Sequence, residues 1–457
     1  MDNIFFLSCF LPLVVVLHSV IPWIKGKNAV LLLVSLAFYA FSGLTGLLLL
    51  VGAATANYLL GLALKTKYRK IAMIAGVTLD IGFLGTFKYL DFILGDILGL
   101  AHLQSGLIAP LGISFFVFKC ISYLVDSYRD EKQLTRNFGH LLLYVSFFPQ
   151  ITMGPITRFN EFRPQLERRP LCLDDIAKGL RRFAAGLGKK ILIAGTLATV
   201  VDGVFALETV DIRLAWVGAI AYCLQLYFDF SGYIDMVIGL GMALGFTSRE
   251  NFNYPYIAST VGDFWRRWHM SLSSWFKDYL YIPLGGNRKG KLRAGINKCI
   301  VFLLCGLWHG AAWTFIIWGL WHGLFSLLES LNVIPAKRLQ KSKVLGHVYT
   351  LLVVCIGFVM FRAGTVTQGA QIIAAMFTGF KLTVAGTVAM YKLLNLETFI
   401  MLAAGIILSM PVSKKLKDSK AGPVLDKLAY LGVIAVFVLS LLKLAAGDFA
   451  PSIYAQF

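Results

Sequence analysis

The chain has 457 residues, of which 58% are hydrophobic and 15% charged, and its mean hydropathy is +0.72. Soluble globular proteins carry about a quarter charged residues, so this composition excludes an ordinary soluble enzyme and a disordered chain. Lys and Arg number 43 against 24 Asp and Glu, a formal net charge of +19, and they lie in short runs between apolar stretches. That pattern is typical of loops beside an anionic membrane surface and argues against nucleic-acid binding.

The first third of the chain predicts a series of membrane crossings. A helix needs about 20 apolar residues to cross roughly 30 Å of hydrocarbon, whereas the uncharged stretch 28–64 would form a helix roughly 55 Å long. It must therefore turn, and Ser42-Gly43 is the natural place. The predicted crossings are 4–24, 30–41, 44–64, 71–95 and 112–125.

Charge asymmetry around these crossings predicts their orientation. Basic residues cluster at 25–27, 65–70 and 129–132, whereas the segment 91–111 contains no Lys or Arg. This places the amino terminus outside the cell and the basic loops in the cytoplasm. The first segment carries Asp2 and no basic residue, and no small-residue cleavage site follows, so it predicts a retained helix rather than a signal peptide.

The rest of the chain continues the same pattern. Residues 138–153 are too short and too proline-interrupted for a crossing and predict a half-helix, followed by a basic interfacial segment. The later predicted crossings are 191–207, 214–246, 299–328 (too long for one untilted pass), 345–361, 399–410 and 428–442, with basic clusters at 337–343 and 414–427 on the inner side. We therefore expect an all-α, polytopic membrane protein with about eleven or twelve transmembrane helices and one or two re-entrant pieces, in a single domain spanning 1–457. The seven cysteines form no CxxC pair and predict neither disulfides nor a thiolate metal site.

The segment 251–290 is neither a clean membrane helix nor an ordinary loop. Its three tryptophans, Trp265, Trp268 and Trp275, are interleaved with cations. This mixture is typical of an interfacial anchoring helix, and it also suits a pocket rim that binds the phosphates of an anionic cofactor. The turn Gly285-Gly286-Asn287 could offer backbone N–H groups to a phosphate, although these three residues alone are weak support for such a site.

Two histidines lie in later apolar stretches. His309 sits in a charge-free run between Gly306 and Gly310, where an ionisable group is costly and marks a candidate functional site. Burial would favour its neutral imidazole, the form that accepts a proton; a structural core histidine is the alternative. His322 follows 13 residues later, about 20 Å along a continuous helix, so the two cannot share a site unless the helix breaks. We expect His322 to be a packing or interfacial residue.

Several motifs together resemble the membrane-bound O-acyltransferases, in particular the bacterial branch that acetylates alginate and peptidoglycan. The resemblance covers most of the chain, and the combination of motifs is far more specific than any one alone. The motifs are PLGISFFVFKCISYLVDSYR (110–129), FFPQITMGPITR (147–158), YFDFSGYIDMVIGLGMALGF (227–246), FWRRWHMSLSSWFKDYLYIPLGGNR (264–288), GLWHG (306–310) and the closing PSIYAQF (451–457).

The resemblance implies a fold, an activity and a set of site residues. The family fold is a helical bundle around a tunnel, in which a cytoplasmic thioester donor meets an acceptor hydroxyl from the opposite face. The family's membrane-embedded catalytic histidine corresponds to His309, and its second active-site position to His269. Acetyl-CoA is the expected donor, and no metal is needed.

The same resemblance suggests which groups contact the donor and the partner. The cations Arg266, Arg267, Lys277 and Arg288 are candidate contacts for the phosphates of the donor. Relatives hand the acyl group to an extracytoplasmic protein of the SGNH-hydrolase type, which modifies a polysaccharide. This chain contains no such soluble domain, so a separate partner is expected at a bacterial cell membrane.

Two alternatives remain open from the sequence. D-alanyl transfer to teichoic acid from a carrier-protein thioester uses the same fold, and the PLGGNR segment argues modestly against it. A solute or polysaccharide transporter belongs to a different class; such proteins usually contain paired halves, and no internal repeat is evident here.

Overall fold

The computed structural model describes residues 3–412 and 422–447, and every regular element within these two ranges is helical. This confirms the predicted all-α class. The principal helices are α1 (Leu11–Val20), α2 (Ile24–Ala40), α3 (Leu44–Ala63), α4 (Arg69–Lys88), α5 (Ile113–Arg129), α6 (Phe138–Ser146), α7 (Phe159–Glu167), α8 (Leu173–Gly188), α9 (Gly195–Phe205), α10 (Ile212–Ala243), α11 (Val261–Arg267), α12 (Met270–Phe276), α13 (Gly290–His309), α14 (Trp313–Leu331), α15 (Ala336–Lys341), α16 (Lys343–Arg362), α17 (Val366–Thr378), α18 (Val384–Leu393), α19 (Leu396–Leu408) and α20 (Gly422–Ala445).

Shorter helical pieces extend or connect these elements. The π-helical turns are Phe6–Phe10, Ile93–Ile97, Lys189–Ala194 and Lys277–Tyr281. The three-residue pieces are the α-helical Leu90–Phe92 and the 3₁₀ turns Ala101–Leu103, Glu131–Gln133 and Pro255–Ile257.

The described residues divide into two compact units. One is formed by Met1–Leu180 and Val237–Arg249, and the other by Arg181–Met236 and Glu250–Phe457. The boundaries fall within α8 and α10, so each of these helices contributes to both units. All of the predicted site residues belong to the second unit.

Seven helices in the described ranges are long and apolar enough to cross a membrane, or eight if the bent pair α18 and α19 is one broken span. The chain is therefore a multi-pass membrane protein. The number is below the predicted eleven or twelve because several helices are shorter than the about 20 residues that a straight crossing needs: α1 has 10 residues, and α2 and α5 have 17 each. The basic cluster 414–427 lies largely outside the described residues, as does the closing PSIYAQF segment.

The predicted turn in the long uncharged stretch is confirmed. Helix α2 ends at Ala40 and α3 begins at Leu44. Gly43 between them has φ 126°, a backbone conformation that glycine adopts without the strain a side chain would cause. The glycine therefore lets the chain reverse within three residues.

Helices α13 and α14 form a close hairpin that carries His309 at its turn. A Cβ added to Gly306 would lie 2.3 Å from the carbonyl oxygen of Phe315, and one added to Gly319 would lie 2.4 Å from that of Phe302. Neither distance is tolerable, so the two helices approach as closely as they do because both positions are glycine. The stretch 299–328, predicted to be too long for one pass, is thus divided between two helices that break at residues 310–312.

Candidate functional site

The aromatic and cationic segment that follows α10 folds back on itself. Thr260 caps α11 by accepting a hydrogen bond from the backbone N–H of Asp263 at 3.0 Å. After α11, the backbone N–H of Met270 donates to the carbonyl of Asn251 at 3.0 Å, and that of Asn253 donates to the carbonyl of Arg267 at 2.9 Å. These two bonds hold the residues between α11 and α12 against residues 251–253.

His269 lies in that connection in an unusual backbone conformation. Its φ and ψ are 44° and 53°, in the left-handed region that non-glycine residues rarely adopt. The side chain is 1% exposed and packs edge-on against Phe230, with ring centroids 4.7 Å apart. Burial lowers the pKa of His269 to about 3, so the imidazole is neutral near pH 7.

Asn251 contacts both His269 and the residue two positions later. Its Nδ2 lies 3.4 Å from Nδ1 of His269, and its Oδ1 accepts a hydrogen bond of 2.9 Å from the backbone N–H of Ser271. The other imidazole nitrogen, Nε2, has no hydrogen-bond partner within the described parts of the chain.

His309 is the last residue of α13 and is buried among aromatic rings. Trp308, Trp318 and Phe361 contact its imidazole with centroid distances of 5.0, 5.2 and 5.2 Å and interplanar angles of 75°, 90° and 82°. Aromatic rings around it on three elements restrict its rotation. Trp308 also contacts His269, at 6.2 Å, so one indole touches both imidazoles.

One cavity of about 460 Å³ is lined by both histidines. Its apolar walls include Trp265, Phe302 and Cys305, and its charged lining consists of three basic side chains and one acidic one. The charged lining residues are Arg266, Lys277, Lys298 and Glu329. The cavity therefore combines two imidazoles with a mainly apolar wall and a net positive group of charges.

The four predicted cations are not all in this cavity. Arg266 and Lys277 line it, whereas Arg267 and Arg288 are outside its lining. Arg267 donates instead to Asp263 at 2.9 Å, and Arg288 is exposed beyond the glycine turn. In that turn the carbonyl of Gly286 accepts a hydrogen bond of 3.0 Å from Asn297.

His322 and the tryptophans take positions that the sequence left open. The break after His309 brings α14 back alongside α13, so that Trp318 contacts His309 and His322 alike, each at 5.2 Å. His322, expected to be a packing or interfacial residue, is fully buried and lies outside the cavity lining. Trp268 and Trp275 are also buried, at 3% and 6% exposure, so they pack inside the unit instead of projecting outward as anchors.

Sequence reasoning missed Glu329, Lys298 and Asn251. Glu329 accepts hydrogen bonds from the backbone N–H groups of Val261 and Gly262, at 2.7 and 3.0 Å, at the start of α11. Tyr349 donates to the same carboxylate at 3.2 Å. An isolated acid at the end of an apolar helix was the available signal, because a lone carboxylate near a membrane segment needs partners.

The model of the membrane-bound O-acyltransferase family matches residues 99–366. The probable alginate O-acetylase of Pseudomonas putida is 38% identical over 99% of this chain and 99% of its own length. The peptidoglycan O-acetyltransferase of Helicobacter pylori is 37% identical over 76% of this chain and 73% of its own. The teichoic acid D-alanyltransferase of Bacillus subtilis is 31% identical over 57% of this chain and 70% of its own.

Proposed function

This chain belongs to the membrane-bound O-acyltransferase family and is an O-acyltransferase, and from that premise we propose that it moves an acetyl group from a cytoplasmic thioester to a hydroxyl. The observation that carries the proposal is the single cavity that brings His269, His309 and three cations together. A neutral imidazole, an oxyanion partner and cations for an anionic donor are the groups this reaction needs.

In the proposed reaction His309 acts as the general base. It accepts the proton of the acceptor hydroxyl while the hydroxyl oxygen forms a bond to the thioester carbonyl carbon. The carbonyl oxygen becomes an oxyanion, which accepts a hydrogen bond from Nε2–H of His269. The carbon–sulfur bond then breaks, the ester remains on the acceptor, and the proton held by His309 passes to the departing thiolate.

The cationic lining supports an anionic donor. Arg266, Lys277 and Lys298 outnumber the one acidic lining residue, Glu329, and can contact phosphate groups of CoA while the mainly apolar wall accommodates an extended thioester arm. Since Arg267 and Arg288 lie outside the lining, we propose fewer cations in contact with the donor than the sequence suggested.

The relatives support acetyl transfer over D-alanyl transfer. The alginate O-acetylase aligns over 99% of this chain, whereas the D-alanyltransferase aligns over 57%. We therefore propose an extracytoplasmic polysaccharide as the final acceptor. We place the basic loops in the cytoplasm and the amino terminus outside, and we propose a separate SGNH-type protein as the recipient of the acetyl group.

Donor competition tests this proposal. Membranes containing the protein are supplied with acetyl-CoA or with a D-alanyl thioester on a phosphopantetheinyl carrier protein, and ester formation on surface polysaccharide is measured by mass spectrometry. Acetyl esters formed only with acetyl-CoA are the expected result. Esters formed only from the carrier thioester would replace acetyl by D-alanyl transfer, and no ester from either donor would contradict the proposal.

A further inference from the structure

Asn251 contacts His269 but does not itself line the cavity. We infer that Asn251 is a positioning residue that holds His269 in its left-handed conformation and keeps the imidazole proton on Nε2. This inference rests on the proposed role of His269 as a hydrogen-bond donor, and it names the residue on which that role depends.

Asn251 accepts hydrogen bonds from the backbone that follows His269. The carbonyl of Asn251 accepts from the N–H of Met270 at 3.0 Å, and its Oδ1 accepts from the N–H of Ser271 at 2.9 Å. These are the two residues that directly follow His269. A strained backbone persists only where its surroundings hold it from several directions, and here one residue supplies two of the bonds.

The hydrogen bond to Ser271 fixes the orientation of the Asn251 side-chain amide. Because Oδ1 of Asn251 accepts from Ser271, rotating the amide by 180° would place its NH₂ group against that N–H, donor against donor. Nδ2 must therefore face His269. At 3.4 Å from Nδ1 the contact is long, but it is a donor facing a ring nitrogen.

The orientation of the Asn251 amide decides which nitrogen of the His269 imidazole carries the proton. A proton on Nδ1 would face the N–H of Asn251, so Nδ1 keeps its lone pair and the proton of the neutral ring is on Nε2. Nε2 has no hydrogen-bond partner within the described parts of the chain, although the residue lines the cavity. A buried donor with no internal acceptor would gain one in an oxyanion or thiolate of the substrate.

The residue that precedes Asn251, Glu250, is held in place by an ion pair with Arg182. Arg182 donates to both carboxylate oxygens of Glu250, at 2.7 and 2.6 Å, and also to Asp235 at 2.9 Å. Such a bidentate pair restricts orientation as well as position. The stretch that presents Asn251 is thus tied to α8 and α10 as well as to the connection between α11 and α12.

Charged and titratable side chains lie on several of the elements around His269. Phe230 and Trp308 cover the ring. Those that line the cavity with it are Arg266, Lys277, Tyr281, Lys298, Cys305, His309 and Glu329. Asp263 and Arg267 lie on α11, and Asp235 and Asp229, the latter hydrogen-bonded to Lys190, lie on α10. A new pH dependence introduced at position 251 is therefore read against the wild-type profile, which contains the contributions of all these groups.

The substitution Asn251→Asp tests the inference because it keeps the shape of the side chain and reverses the polarity of one atom. Its carboxylate accepts from the ring, moves the proton to Nδ1 and leaves Nε2 without one. Uptake of one proton by the carboxylate–imidazole pair restores the Nε2–H donor whether that proton is on the acid or on the ring. Asn253→Asp is the matched control, since Asn253 is exposed and lies two residues away.

Acetyl transfer from acetyl-CoA is measured in membrane vesicles across the acidic to mildly alkaline range. We expect Asn251→Asp to be about 100-fold less active than Asn253→Asp at about pH 8, and to recover at least about tenfold relative to it at about pH 5.5. A structural role alone predicts the same loss at every pH, and that result, or an unchanged profile, would overturn the inference.

A second measurement does not depend on the donor. Diethyl pyrocarbonate modifies an imidazole nitrogen that carries a lone pair, and peptide mass spectrometry quantifies the label on His269. We expect little label in the wild type at any pH, and label in Asn251→Asp that rises with pH. Equal labelling of the two proteins throughout would overturn the inference. If His269→Ala retained full activity, the proposed function of His269 would fail while the labelling still decided the role of Asn251.

Discussion

The close approach of α13 and α14 predicts a strong effect of adding a single methyl group at Gly319. Its Cβ would lie 2.4 Å from the carbonyl oxygen of Phe302, where an ordinary contact needs about 3.4 Å, so the helices must separate by about 1 Å. Overpacking of this kind costs about 1–3 kcal/mol. Because α13 ends at His309, the separation also displaces the proposed general base, and about 1 Å of displacement is worth about 100-fold in rate.

Gly319→Ala should therefore lower both stability and activity. Thermal unfolding of the purified protein in detergent, followed by tryptophan fluorescence, measures the first effect, and acetyl transfer from acetyl-CoA measures the second. Gly432→Ala is the control, because this helical glycine lies in the same unit and a Cβ there meets nothing within 4 Å. If Gly319→Ala behaved like the control in both assays, the hairpin would not depend on glycine and the reasoning would be refuted.

Two further predictions concern the charged residues of the cavity. Replacing Glu329 by Ala removes the acceptor for two backbone N–H groups at the start of α11, so it should lower the free energy of unfolding by about 1–3 kcal/mol, and an unchanged unfolding temperature would contradict this. Replacing Arg266, Lys277 and Lys298 by Ala together should raise KM for acetyl-CoA about tenfold or more with a smaller change in kcat, because we propose that these cations of the cavity lining contact the donor away from the reacting carbonyl. Arg288→Ala, outside the lining, should leave KM unchanged, and an equal rise in both proteins would remove the assignment of the donor site.

Patterns local in sequence predicted much of the fold. The uncharged stretch 28–64 had to reverse because of its length alone, and Gly43 supplies the positive φ at the expected place. Fewer helices than predicted crossings reach the about 20 residues of a straight span, because apolar composition does not fix where a helix begins or ends. Helix α5, for example, follows Gly112 in the left-handed region and continues to Arg129, beyond the predicted end at residue 125.

The site depended more on contacts distant in sequence. Because an ionisable group in an apolar run is energetically costly, the sequence predicted a functional role for His309. It did not predict the helix break at 310–312, which was only the condition under which His309 and His322 could lie near each other. Arg266 and Arg267 are adjacent in sequence, and only the orientation of α11 sends one to the cavity and the other to Asp263. Asn251 and Glu329 act through backbone N–H groups elsewhere in the chain, which leave no local sequence pattern.

The most direct test of the proposed chemistry is acetyl transfer by His309→Ala. The purified protein in lipid vesicles receives labelled acetyl-CoA and a polysaccharide-synthesising membrane fraction, and labelled acetyl ester is counted alongside protein content. His102→Ala serves as the control because His102 lies in the 3₁₀ turn Ala101–Leu103, is exposed and is outside the cavity lining. We expect His309→Ala to accumulate normally and form no ester while His102→Ala matches the wild type; normal ester formation by His309→Ala would contradict the proposed role of His309 as general base.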